Sequence, residues 1–172
     1  MVVQPQKYND NITIEVHSGL VPETNLLLGG DLKSIRSLYL MKSAPTIALN
    51  SQGAFENSEI FSIPKEIYVD EIYTVKFSNN FILQCTAGTL IRGLSGWIVV
   101  SELKKDDKIL GAIFSENSGI KPMTITVEEV NKEFKSLRTQ VYFFASKHGN
   151  ILLPSYHEDN DNSNLTFICV SQ

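Results

Sequence analysis

A chain of 172 residues, 42% hydrophobic and 20% charged, is long enough to fill one core and asks for no second domain, so residues 1–172 are read as a single unit. Its apolar runs are only a few residues long, which excludes a helix crossing a bilayer. The net charge of −4 lacks the Lys/Arg surplus that phosphate backbones select, so neither membrane nor nucleic acid is an expected partner.

The opening Met1-Val2-Val3-Gln4-Pro5 does not run from a charged segment into an apolar one, so no secretion signal is read there and synthesis in the cytosol is expected. Residues 11–16 (NITIEV) alternate apolar and polar side chains and predict a strand. Ser18-Gly19-Leu20-Val21 leads through Thr24 into an apolar stretch ending at Leu28, then the Gly29-Gly30-Asp31 turn. Apolar segments at 32–43 and 46–49 are separated by Ala44-Pro45, and Asn50-Ser51-Gln52-Gly53 is a strong reversal signal. Residues 59–63 and 66–77 predict two strands punctuated by Pro64.

Ser78-Asn79-Asn80 then predicts a hairpin turn into a strand at 81–85, because Asn tolerates positive φ. Residues 96–100 give another short strand, closed by the charged turn at 102–108, and residues 112–114 and 123–126 flank a turn at 116–119. Over 127–137, Val127, Val130, Phe134 and Leu137 recur at helical spacing, which predicts a short amphipathic helix with a solvated face of Glu128, Glu129, Lys132, Glu133 and Lys135. An aromatic block at 141–144 leads through Lys147-His148-Gly149-Asn150 into Ile151-Leu152-Leu153-Pro154-Ser155, and residues 164–171 alternate as a last strand.

Candidate chemistry is sparse. Cys85 and Cys169 both sit in apolar strand-like runs and read as inert core thiols. No two of His17, His148 and His157 have metal-ligand spacing and there is no Cys-x-x-Cys, so no metal and no cofactor is expected. His148, in its turn, reads as an exposed polar residue. Asp159-Asn160-Asp161-Asn162-Ser163 alternates oxygen donors but lacks the Gly and distal Glu of a calcium loop, and reads as an acidic surface turn.

Several blocks, in order, carry a resemblance: Ser18 before a short loop, Thr24 and a strand; Thr86-Ala87-Gly88-Thr89; Gly96-Trp97; Glu102-Leu103; Asp106-Asp107 before Ile109-Leu110; and the aromatic and aliphatic blocks ending at Ser155. Together, over residues 18–155, they resemble the Hint domain shared by inteins and hedgehog autoprocessing proteins. The resemblance implies a mainly β, compact fold with a pseudo-twofold pair of hairpins, the helix at 127–137 being an insertion, and strands 11–16 and 164–171 being additions at either end.

It also implies which positions would have carried out autoprocessing. Ser18 stands at the nucleophile, attacking the carbonyl of His17, and Thr86 at the first residue of the family's T-x-x-H. Thr89 stands where that histidine belongs, Val141 where many members keep a histidine or an acid, and Pro154 and Ser155 at the terminal His-Asn. With the proton donor and the cyclising Asn replaced, the resemblance implies an inactive site. The implied role is structural: a protein that binds protein partners in a homo- or hetero-oligomeric assembly such as a virion. Autoprocessing at the His17-Ser18 bond is the alternative.

Overall fold

The computed structural model describes residues 19–115, 117–155 and 164–171. The expected strand at 11–16, Ser18, His17, His157 and the turn at 159–163 lie outside the described residues.

The fold is built from antiparallel strands. A small sheet pairs β1 (Asn25–Leu28) with β2 (Asp31–Ser34). A helix, α1 (Ile35–Met41), follows directly and buries Ile35 and Leu38. The large sheet draws on β3 (Ser43–Leu49), β4 (Phe55–Phe77), β5 (Ile82–Cys85), β6 (Leu90–Arg92), β7 (Trp97–Val99), β8 (Lys108–Ser115), β9 (Gly119–Ser146), β10 (Asn150–Pro154) and β11 (Asn164–Ser171). Its order is β3-β4-β9-β8-β11-β6-β7, with β5 also on β4 and β10 also on β11. Leu20, Leu26, Phe77, Leu83, Ile91, Ile109, Ile125, Leu153 and Ile168 belong to one continuous buried cluster.

The Asn turn forms as expected. Phe77 N–H donates to the Phe81 carbonyl at 3.0 Å and Asn80 takes φ +68, the left-handed residue that closes a three-residue hairpin loop. Pro64 does not end a strand. It sits at the register shift between Ser62 and Glu66, where β4 bulges against β9 and the missing N–H removes no ladder bond.

The helix expected at 127–137 is not there: the whole segment belongs to β9. The register explains the misleading spacing. Lys76 pairs with Glu129 and Phe77 with Val127, leaving Glu128 as an extra residue. That bulge shifts the phase of the alternation, so two inward valines, Val127 and Val130, fall three apart instead of two. A second shift sets residues 135–138 opposite Asp70, giving Phe134 and Leu137 their helix-like spacing. The charges expected on a helix face instead reach across strands, Lys76 to Glu129 at 3.1 Å and Lys132 to Glu71 at 3.9 Å.

The final strand, expected as an addition beyond the core, is interior. β11 pairs with β10, β8 and β6, and Phe167, Ile168, Cys169 and Val170 are all buried.

Candidate functional site

Gly19 is the pivot of the site. Its next residue, Leu20, exchanges two backbone hydrogen bonds with Tyr142 of β9, at 3.1 and 2.9 Å, and bridges Cys85 at the end of β5. Beyond Cys85, the Thr86–Thr89 turn is closed by Thr89 N–H donating to the Thr86 carbonyl at 3.2 Å. The 3-10 turn Val100–Glu102 holds it from outside, through Val100 N–H to the Thr89 carbonyl at 2.8 Å and Ser101 N–H to the Ala87 carbonyl at 3.2 Å.

This turn grips the Gly19 backbone on both sides. Thr86 N–H donates to the Gly19 carbonyl at 3.1 Å, and Gly19 N–H donates to Thr89 Oγ1 at 3.2 Å. The Thr89 hydroxyl donates to the Gly19 carbonyl at 3.4 Å, and its oxygen also lies 3.4 Å from Thr86 Oγ1, where either hydroxyl can be the donor. Thr86 and Thr89 are buried, and so is Val141. A side chain at position 19 would lie 2.8 Å from Val141 Cγ2, so only glycine lets the backbone pass here. Val141 belongs to an apolar cluster with Val21 and Ile72.

The predicted site residues therefore separate. Thr86, Thr89 and Val141 meet around Gly19. Pro154 pairs with Phe167 instead, and Ser155 is tied to Thr166, through its N–H at 2.8 Å and its hydroxyl at 3.0 Å to the same carbonyl. Thr166 in turn accepts from Asn79 of the hairpin turn at 3.1 Å. Ser18 lies outside the described residues.

Around Gly19 the described side chains offer hydroxyls, methyls and one thiol. Burial pushes the Cys85 thiol up to about 12, against a smaller pull downward from its hydrogen bond with Thr89. Burial likewise pushes Cys169 to about 12, offset in part by the Arg92 charge. Both thiols are free. Neither is expected to react with iodoacetamide at pH 8 in the native protein, and both should react once urea unfolds it; native alkylation by intact mass would contradict this. The same shift fixes a sign. Above pH about 9 unfolded thiols ionise while the folded ones keep their protons, so stability should fall as pH rises through 9 towards 12.

His148 lies elsewhere and is not the exposed turn residue its neighbours suggested. Its side chain is 17% exposed. Nδ1 bonds Ser58 Oγ at 2.8 Å and Nε2 bonds Glu56 Oε2 at 2.9 Å, tying the β9–β10 turn to the start of β4. Hydrogen bonds from Asn50 and then His148 hold the Glu56 carboxyl below its usual value. Nothing local in the sequence announces this partner, 92 positions away.

No protein-family model matches the chain, and no curated protein does. Solved structures do. A DnaB intein from Synechocystis sp. PCC 6803 superposes with a TM-score of 0.64 at 16% identity, over 90% of this chain and 98% of that one. A bacterial intein-like domain from Clostridium thermocellum gives 0.65 at 18%, over 90% and 98%. A DnaX mini intein from Spirulina platensis gives 0.60 at 19%, over 91% and 100%.

The chain has the Hint fold of inteins.

Among the described residues there is no group of His, Cys, Asp and Glu side chains able to hold a metal ion, and no helix long and apolar enough to cross a membrane.

Proposed function

We propose that this chain is a non-catalytic Hint-fold protein that works through its surface, as a building block of a larger protein assembly such as a virion. The observation that carries the reading is the Thr89 hydroxyl, buried against the Gly19 peptide where the resemblance places an imidazole. Shifting an amide to an ester requires a proton on the departing nitrogen, and a threonine hydroxyl does not supply one near neutral pH. Losing a positioned acid costs roughly 10² to 10⁴ in rate. Val141 fills its place with methyls, and Ser155, at the expected terminal Asn, has no amide to cyclise.

The surface supports protein partners. On the β4–β9 ribbon the apolar side chains Tyr68, Phe134 and Leu137 are 54%, 71% and 84% exposed and available to a partner. The second reading, autoprocessing at the His17-Ser18 bond, draws on the same grip, because the Thr89 hydroxyl and the Thr86 N–H already hold the peptide of Gly19.

Incubation with hydroxylamine or a thiol, followed by intact mass, separates the two. The expected result is an uncut chain; a fragment beginning at Ser18 would establish autoprocessing and end the proposal. Light scattering behind size exclusion is expected to give a mass above one chain. A strict monomer would restrict the proposal to a hetero-assembly.

A further inference from the structure

Strand β9 outruns its neighbours. On one side it pairs with β4 between Val127 and Ser146, but on the other β8 reaches only to Thr126, and only the Leu20 bridge at Tyr142 follows. Among the described residues, 128–140 therefore face no strand along that side. At the second register shift 135–138 have no places in the β4 ladder either. From Asn131 to Arg138 every residue is exposed except the half-buried Lys135. An open strand edge is a template for another strand, and native proteins blunt such edges with bulges and charges. This edge carries charges, but in a pattern that fits itself.

Two contacts fix which side chains share a face. Lys132 Nζ stands 5.9 Å from the Phe134 ring centroid, and Lys135 Nζ bonds Glu133 Oε1 at 3.0 Å. The alternation of an extended strand thus runs through 132–135, with Phe134 on one face and Glu133 and Lys135 on the other.

A second copy added antiparallel about a twofold axis keeps each face on the same side of the sheet, which requires the axis to pass through a residue rather than between two. Centring on Lys132, Glu133 or Lys135 sets a charge against its own copy. Centring on Ser136 or Leu137 brings no opposite charges together. Centring on Phe134 differs from all of these: the ring meets its copy on the axis, and Glu133 of each chain stands opposite Lys135 of the other, with no like charges opposed.

We propose that two copies of this chain pair edge to edge through residues 131–137 of β9, antiparallel, with Phe134 on the twofold axis. The inference rests on the assembly reading given above and names one of its interfaces. Each Glu–Lys contact is a surface pair of modest worth, so the backbone ladder and the ring contact hold the dimer while the charges select its register.

Light scattering of the full chain over a range of concentrations is expected to show a monomer–dimer equilibrium. Lys135→Glu sets like charges opposite one another twice across the axis and should weaken the dimer about tenfold or more. Glu133→Lys should do the same, and an equimolar mixture of the two variants should restore a dimer, because each supplies the charges the other lacks. Phe134→Cys would bring two α-carbons to about 4.5–5.5 Å, within disulfide range. Mild oxidation should then link the chains, whereas Leu137→Cys, opposite Asn131, should not be linked. These positions lie outside the buried clusters, so the variants should fold as the parent does. A monomer at every concentration, a dimer indifferent to both reversals, a mixture that stays monomeric, or no disulfide at position 134 would each overturn the proposal. A dimer indifferent to the reversals would leave the assembly reading standing, while a fragment beginning at Ser18 would end that reading without touching this interface.

Discussion

Gly111→Ala is expected to destabilise the protein by about 3 kcal/mol or more, seen as a lower urea midpoint, or to leave no folded protein in the soluble fraction. Gly111 lies in β8, between β9 and β11, opposite Met123 on one side and Ile168 on the other. A methyl there would stand 2.7 Å from the Phe167 carbonyl oxygen and overlap Ile125 Cδ1. Ile125 is fully buried, so its side chain has nowhere to swing. The carbonyl is backbone and can retreat only if β11 moves away from β8. Alanine gains roughly 0.5–1 kcal/mol over glycine in chain entropy, too little to offset the overlap. A variant as stable as the parent would mean that the two strands stand further apart than described.

Asn150→Asp is expected to cost about 4 kcal/mol near neutral pH while hardly changing the shape of the side chain. Asn150 is 4% exposed and all four of its hydrogen-bonding positions are engaged. Nδ2 donates to the Leu49 carbonyl at 2.9 Å and the His148 carbonyl at 3.2 Å, while Oδ1 accepts from Leu49 and Cys169. In aspartate the second oxygen faces two carbonyls. Ionised, it is a buried charge with repulsive neighbours; protonated, it restores only one of the two lost bonds. Its folded-state pKa must therefore rise above the unfolded value of about 3.9. The native state then holds the extra proton, so the penalty is smallest in acid and grows as pH rises past 4. Denaturant midpoints at pH 4 and pH 7 check this: a penalty independent of pH would show that the side chain finds water.

The strand skeleton was legible where short apolar runs are bounded by turn residues. The strands expected at 81–85, 96–100 and 164–171 form as Ile82–Cys85, Trp97–Val99 and Asn164–Ser171; the first buries alternate residues, while the last buries Phe167 to Val170 in succession, as a strand covered on both faces does. It failed at bulges. Glu128 put Val127 and Val130 in helical register, and the true helix, Ile35–Met41, buries only Ile35 and Leu38 and so leaves too short a stripe to recognise. Thr86, Thr89 and Val141 were singled out through the resemblance and meet around Gly19, although identity to the solved inteins is only 11–19%. The seat of His148 on Glu56 and Ser58 was not legible. Contacts across some 90 positions depend on strand register, and no window of sequence contains it.

The interior place of β11 has a consequence for how this polypeptide is made. Among the described elements it comes last in chain order, so β8, β10 and β6 all leave the ribosome before the strand they hydrogen-bond to. Until it emerges, those three partners present unfinished ladders, and the sheet cannot close progressively behind the translating ribosome. Slowing synthesis should therefore do little for the yield of native protein, whereas a chaperone that shields nascent β edges until release should raise it.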